Sequence, residues 1–328
     1  MSEKIYGRKP VLEALRSGNR AITRIYLLQG SRDGVLNQIE AHAQAKGIAI
    51  TLETRHRMDT MAGNDKHQGA IAVAEDYKYA DLQDLLDIAR DKNEPAFILL
   101  LDEIEDPQNL GAILRSADAA GIHGVVIPKN RAAEVTATVI KASAGAAEHV
   151  QTVKVTNIND TIKKLKEANV WVVGTDIEAT KNFYEYDYRQ PVALVIGNEG
   201  KGLRRLVKEN CDELVKIPMA GKMSSLNASV AAALLLFEVT RQRNWKGAAP
   251  NSPPTVPRTP TYPITPETVV PTYYAMADSP PERDFFRSGP DPALEATDEG
   301  APSEVIQPLE SNEPHDPPGN NKGGGFKW

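Results

Sequence analysis

The 328-residue sequence predicts an α/β protein of two folded units followed by an unstructured tail, on three observations. Helix-length amphipathic segments alternate with short apolar runs through the first 246 residues, the rhythm of βα-built domains. Two of those runs, Phe97 to Ile104 and Val192 to Gly197, are almost continuously apolar, as strands buried on both faces of a parallel sheet are. From Gly247 onward the composition changes. That tail holds seventeen of the twenty-three prolines, and its twelve acidic against five basic residues give it a charge of −7. It carries too little apolar surface to offset the entropy of ordering, so residues 247–328 are expected to be disordered.

The overall charge of −6 therefore belongs to the tail, and the first 246 residues are near neutral with 33 basic and 32 acidic side chains. A neutral average does not exclude nucleic acid, which needs only a local basic face. The single cysteine, Cys211, rules out an intramolecular disulfide and a multi-cysteine zinc site, and suits packing in a reducing compartment. The opening MSEKIYGRKP lacks the apolar core of a signal peptide. The longest apolar run, Val230 to Phe237, is far shorter than the ~18 residues of a membrane span. A cytoplasmic protein with no membrane contact is expected.

In order, residues 1–76 form a small alternating unit. A helix carrying Pro10, Val11, Leu12 and Leu15 ends at Gly18. A strand spans Ile22 to Leu28, and a helix runs from Val35 to Lys46, stopped by Gly47. Ile48 to Leu52 and Ala70 to Ala74 read as strands, and Arg55 to Gly69 between them reads as a polar loop. That loop, with Arg55, Arg57, Lys66, His56 and His67, is either a phosphate-contacting segment or an ordinary solvated one. His67 lacks the spaced partner of a metal pair. Residues 77–94 are a polar connector with one helix, Leu82 to Ala89.

The second unit, 95–246, alternates strand and helix: Phe97 to Ile104, helix Leu110 to Ala120, strand Gly124 to Pro128, a helical stretch near Glu134 to Ser143, and strand Val150 to Val155. Helix Ile158 to Ala168, strands Val170 to Thr175 and Val192 to Gly197, helix Leu203 to Glu209 and strand Glu213 to Pro218 follow. This predicts a doubly wound sheet, whose ligands sit at the carboxyl ends of strands.

Three stretches carry the chemistry. In LDEIEDPQNLGAILRSADAAG, Leu101 to Gly121, a buried strand ends in an acidic turn; Asn109 sits at a helix start, Gly111 permits close packing, and Arg115 follows six residues after Asn109. In ALVIGNEGKGL, Ala193 to Leu203, a buried strand opens into a glycine-rich loop holding Glu199. It matches neither GxxxxGK[ST] nor GxGxxG, so its glycines serve to expose backbone groups to a ligand. In VKIPMAGKMSSLNASVAAALLLFE, Val215 to Glu238, a strand breaks at Pro218 and crosses a loop with Gly221. The helix after it is expected to be capped by Ser225, with Leu226, Val230, Leu234 and Phe237 as a buried stripe and alanines 228 and 231–233 as a close-packing face. By itself this is either a ligand site or a core helix behind an ordinary loop.

DPQNLGAILRSA, IGNEGKGL and IPMAGKMSSLNASVAAA, in that order, resemble the three motifs of the SpoU (TrmH-like) branch of the knotted RNA methyltransferases. IYGRKPVLEAL and KHQG in residues 1–76 resemble that family's N-terminal RNA-binding domain of ribosomal-protein-like fold. The resemblance covers roughly three quarters of the chain and leaves out the tail. It implies a parallel-sheet methyltransferase domain tied in a trefoil knot, a homodimer, and S-adenosylmethionine as cofactor without a metal. The implied reaction is methylation of a guanosine 2'-oxygen in large-subunit (23S) ribosomal RNA. Residue by residue, it implies a catalytic set of Asn109, Arg115, Glu199, Ser225 and Asn227, and cofactor contacts at Thr175, Gly197, Ile217, Met219 and Leu226.

Those residue types suit the reaction. A ribose hydroxyl is a weak nucleophile, so acceleration rests on positioning and proton removal. Arg115 can hold an oxygen and stabilise developing negative charge, Asn109, Ser225 and Asn227 can orient, and Glu199 can fix Arg115 or Asn109. Three alternatives remain at this level: a transfer-RNA guanosine methyltransferase and an antibiotic-resistance rRNA enzyme, each sharing every catalytic residue, and a non-catalytic RNA-binding or ribosome-assembly factor. The absent GxGxxG disfavours a nucleotide-dependent dehydrogenase. The terminal KGGGFKW is either a docking motif or an inert end.

Overall fold

The computed structural model describes residues 2–31, 33–63 and 66–244. The expected tail and its KGGGFKW end lie outside the described residues.

The first sheet is mixed. Strands β1 (Ser2–Tyr6), β2 (Ile22–Leu28), β3 (Ala49–Glu53) and β4 (Ala70–Glu75) lie in the order β1-β4-β2-β3, antiparallel except for β2 with β3. Helices α1 (Arg8–Ser17) and α2 (Gly34–Ala45) bury Val11, Leu15, Leu36 and Ile39 in the same core as Ile5, Ile25 and Leu27. Part of the expected Arg55 to Gly69 loop is instead helix α3 (Arg55–Ala62), its amino end capped by the Thr54 hydroxyl. Only Met58 and Ala62, one turn apart, are buried on it, which is too little apolar periodicity to show in the sequence. Beyond α3, His67 closes a turn. Its Nδ1 accepts from the amide of Gly69 at 3.0 Å, and its Nε2 lies 2.9 Å from Asp59. Strand β1 was not foreseen either, since Ile5 is its one fully buried residue.

The second sheet is wholly parallel. It contains β5 (Phe97–Asp102), β6 (Gly124–Pro128), β7 (Thr152–Val155), β8 (Trp171–Thr175), β9 (Lys181–Asn182), β10 (Val192–Gly197) and β11 (Glu213–Lys216), in the order β7-β6-β5-β10-β8-β11-β9. Every residue of β5, β6 and β10 is buried, as the apolar runs required. One face carries α5 (Pro107–Ala120), α6 (Ala137–Ala142) and α9 (Ala228–Gln242); the other carries α4 (Leu82–Asp91), α7 (Ile158–Glu167) and α8 (Arg205–Asn210). Residues 77–94 link the two sheets and also furnish core, because Leu85 and Ala89 of α4 pack with Ile98, Leu100 and Val126. A Cβ on Gly111 would stand 2.4 Å from that of Ala142, so this glycine does permit the close approach of α5 to α6. Cys211 packs beside α8, and burial pushes its thiol up to about 12.

For α9 the expected cap and the expected Val230 and Leu234 stripe are overturned, while the expected alanine face is found at Ala228 and Ala232. Its cap is Asn227, whose Oδ1 accepts from the amide of Ser229 at 2.9 Å; Ser225 lies in the preceding loop. The buried row is Ala228, Ala232, Leu235, Leu236 and Val239, while Val230 and Leu234 are 47% and 40% exposed. Both rows are apolar and recur at helical spacing, so periodicity could not choose between them. The alanine row turns inward because α9 lies against α5 and β10.

The two sheets join through a buried charge pair. Arg20 Nε and Nη2 donate to Glu148 at 3.2 and 2.5 Å, and Nη1 donates to Glu3 at 2.8 Å. Asn19 donates to the Glu148 carbonyl at 2.8 Å, and His149 meets Glu13 of α1 at 2.8 Å. None of the helices among the described residues is long and apolar enough to cross a membrane.

Candidate active site

The carboxyl ends of β8, β10 and β11 open into a cleft of about 540 Å³. Thr175 ends β8 and Gly197 ends β10; Ile217, Met219 and Leu226 come from the segment between β11 and α9. All five line the cleft, together with Glu199 and Ser225. Gly197 is required sterically, since a Cβ there would stand 2.3–2.5 Å from the backbone of Gly202 and Leu203. The loop after it folds back on itself, the amide of Gly202 donating to the carbonyl of Asn198 at 2.8 Å. Backbone thereby forms the wall of the cleft, as the glycine-rich sequence suggested.

At the rim, three polar residues from three elements meet on one oxygen. Glu199 Oε1 accepts from Asn109 Nδ2, from Asn227 Nδ2 at 3.0 Å and from the amide of Ala228 at 3.3 Å. Asn227 Nδ2 also donates to Asn109 Oδ1 at 2.9 Å. Asn109 occupies the first turn of α5 and Asn227 caps α9, so the network ties two helix starts to the glycine loop. Charge-assisted bonds of this kind hold side chains more firmly than neutral ones.

Arg115 is not part of that network. It is exposed on α5, makes no hydrogen bond or ion pair among the described residues, and lines a separate groove of about 470 Å³ with Lys9, Glu13 and His149. Of the two partners expected for Glu199, Arg115 or Asn109, the structure shows Asn109. Ser225 is exposed in the cleft wall.

Three further polar features were missed. Asp102, the fully buried end of β5, binds Arg204. Its position after five apolar residues was the available signal, because a carboxylate there must be paired. That hydrogen bond, with the Asp102 and Glu103 charges, holds the Arg204 guanidinium above its ordinary range against partial burial. Asn198 bonds the carbonyl of Glu103 at 3.1 Å. Asp176 borders the cleft; burial works to raise its pKa, but the Lys208 ammonium and the amide of Glu178 hold it below the usual carboxylate range.

A family model of SpoU rRNA methylases matches residues 96–237, and one for RNA 2'-O ribose methyltransferase substrate binding matches residues 4–80. The chain belongs to the SpoU rRNA methylase family, and it is an S-adenosylmethionine-dependent RNA methyltransferase. YacO of Bacillus subtilis, provisionally named a TrmH family tRNA/rRNA methyltransferase, is 49% identical over 73% of this chain and 96% of its own. The 23S rRNA (guanosine-2'-O-)-methyltransferase RlmB of Escherichia coli K12 is 43% identical over 74% of this chain and all of its own. Among solved structures, the SpoU methyltransferase AviRb of Streptomyces viridochromogenes in complex with AdoMet aligns with a TM-score of 0.62 at 27% identity, over 74% of this chain and 90% of that one.

The cleft fits this cofactor on its own chemistry. Its volume lies in the range of small-molecule sites. Ile196, Leu203, Val215, Ile217 and Leu226 offer apolar walls, and the Gly197 cradle offers backbone donors and acceptors that a Cβ would cover.

Proposed function

We propose that this protein methylates the 2'-oxygen of a guanosine in 23S ribosomal RNA, acting in the cytoplasm as a homodimer. The observation that carries this reading is the convergence of Asn109, Glu199 and Asn227 at the rim of a glycine-walled cleft. The RlmB relatives, matched along their whole length, support the choice of 23S guanosine.

The cofactor, when bound, supplies an activated methyl group. The residues of the chain do the rest. Thr175, Gly197, Ile217, Met219 and Leu226 hold it, largely through backbone and apolar contact. Glu199 fixes Asn109 and Asn227, and these two orient the ribose. Ser225 faces the cleft and holds the ribose oxygens. Arg115, a permanent cation, stabilises negative charge growing on the 2'-oxygen; it acts by position and charge. It lies off the cleft of its own protomer, so this role requires a second protomer to bring the two together. The exposed Val230 and Leu234 on α9 supply an apolar face for that contact. The same reading includes the trefoil knot, in support of which β10 lies between β5 and β8 and α9 returns to pack on α5.

Mapping 2'-O-methylation across ribosomal and transfer RNA in cells with and without the gene tests the assignment. Loss of one methylguanosine from 23S RNA is expected. Loss confined to transfer RNA would transfer the function to the transfer-RNA alternative, and no change in either RNA would overturn the assignment to 23S RNA. Light scattering at micromolar concentration is expected to give a dimer mass.

A further inference from the structure

The loop from Asn198 to Arg204 carries Glu199 and forms one wall of the cofactor cleft. Both of its ends are tied to two consecutive residues, Asp102 and Glu103. At the exit, the amide of Arg204 donates to Asp102 Oδ2 at 3.0 Å, and its Nε and Nη2 reach Oδ1 at 2.8 and 2.6 Å. At the entry, Asn198 Nδ2 donates to the carbonyl of Glu103 at 3.1 Å. Asn198 Oδ1 accepts from the amides of Gly200 and Lys201 at 3.0 and 3.3 Å, which curls the loop around that side chain. Glu103 has a φ of +60°, a left-handed conformation uncommon for a residue with a side chain.

These anchors have a direct line to the site. Residues 102 and 103 lead into α5, Asn109 sits in its first turn, and Asn109 donates to Glu199 in the middle of the anchored loop. The contacts thus close a ring: strand end, loop, Glu199, Asn109 and back to the strand end. An exposed ion pair contributes little. Asp102 is different, since it is fully buried and its Oδ1 takes both side-chain bonds from Arg204.

We propose that Arg204 and Asn198 are positioning residues for methyl transfer, setting the wall of the cofactor cleft and holding Glu199 against Asn109 and Asn227. Neither needs to touch substrate. Arg204 acts through Asp102, and Asn198 through the carbonyl of Glu103 and the loop amides. Misplacement by about 1 Å at such a site costs up to ~10²-fold in rate.

The test uses the full chain and the variants Arg204→Ala, Arg204→Lys and Asn198→Ala. Cofactor affinity is read by calorimetry, methyl transfer by single turnover at saturating cofactor, RNA affinity by filter binding and folding by thermal denaturation. Arg204→Ala and Asn198→Ala are each expected to weaken cofactor binding and slow transfer by roughly 10–100-fold while RNA affinity stays at the unmodified value. Arg204→Lys is expected to recover only a minor part, because a point charge cannot reproduce the planar fork. Unchanged cofactor affinity and turnover in either alanine variant would overturn the proposal, as would full recovery by lysine. Should Arg204→Ala fail to fold, Asn198→Ala decides by the same readings. Cofactor affinity is measured without RNA, so a wrong choice of RNA target would show in transfer assays of the unmodified protein and leave this result standing.

Discussion

Replacing Arg20 with methionine removes one half of the charge pair between the two sheets. The Arg20 and Glu148 side chains are 2% and 1% exposed, so solvent cannot screen them. On Arg20 burial lowers the pKa, while Glu148 and Glu3 raise it further, for a net upward shift. On Glu148 burial outweighs the attraction of Arg20, and the carboxyl is held above its ordinary value. Removing one partner of a buried pair typically costs about 3–5 kcal/mol, because the other charge is left without a counter-ion. At ~2–4 °C per kcal/mol for a folded part of this size, the melting midpoint should fall by roughly 6–20 °C. The pH dependence has a definite sign. A carboxyl whose folded pKa is raised opposes folding above that pKa and ceases to do so once protonated, so the deficit of Arg20→Met should be largest near neutral pH and shrink on acidification. The double variant Arg20→Met with Glu148→Met should recover most of the loss, since an apolar pair needs no counter-charge. The assay is thermal and urea denaturation of both variants from pH 5 to 8. A single variant as stable as the unmodified protein at neutral pH, or a deficit that grows on acidification, would show that Arg20 and Glu148 are not a mutually dependent buried pair.

Three other outcomes are expected at the site. Glu199→Gln puts a neutral amide where three donors meet, and single-turnover transfer should drop by about 10–100-fold with folding retained. Gly197→Ala drives a Cβ to 2.3 Å from the Gly202 backbone, so calorimetry should find cofactor binding lost or severely weakened. Arg115→Ala should cut turnover by on the order of 10²–10³, the loss typical of one preorganised donor, while cofactor affinity stays unchanged. Transfer at the unmodified rate in Arg115→Ala would make Arg115 a surface residue only.

The legible parts of this molecule are those where local composition forces a local outcome. The buried runs of β5 and β10 could only be central strands, and each gives way to polar or glycine-rich chain at a carboxyl end where a site can open. Asn109, Glu199 and Asn227 were marked by motif, and the fold brings them together. The remainder depended on partners distant in sequence. Arg115 shares a helix with Asn109, yet it faces another groove. The inward row of α9 was decided by how closely α5 lies, which two equally apolar rows cannot reveal. The insertion of β10 between β5 and β8 is likewise a matter of long-range pairing, and the 102-residue separation of Asp102 from Arg204 hid the anchor of the loop.

Methylation of a ribose oxygen in 23S RNA can be followed with purified components. Purified full-length protein is incubated with methyl-labelled S-adenosylmethionine and either 23S ribosomal RNA or transfer RNA lacking modification, and the RNA is digested to nucleosides. Label is expected in 2'-O-methylguanosine from the 23S RNA alone. Label on a base, label only in transfer RNA, or no label in either despite measured cofactor binding would contradict it.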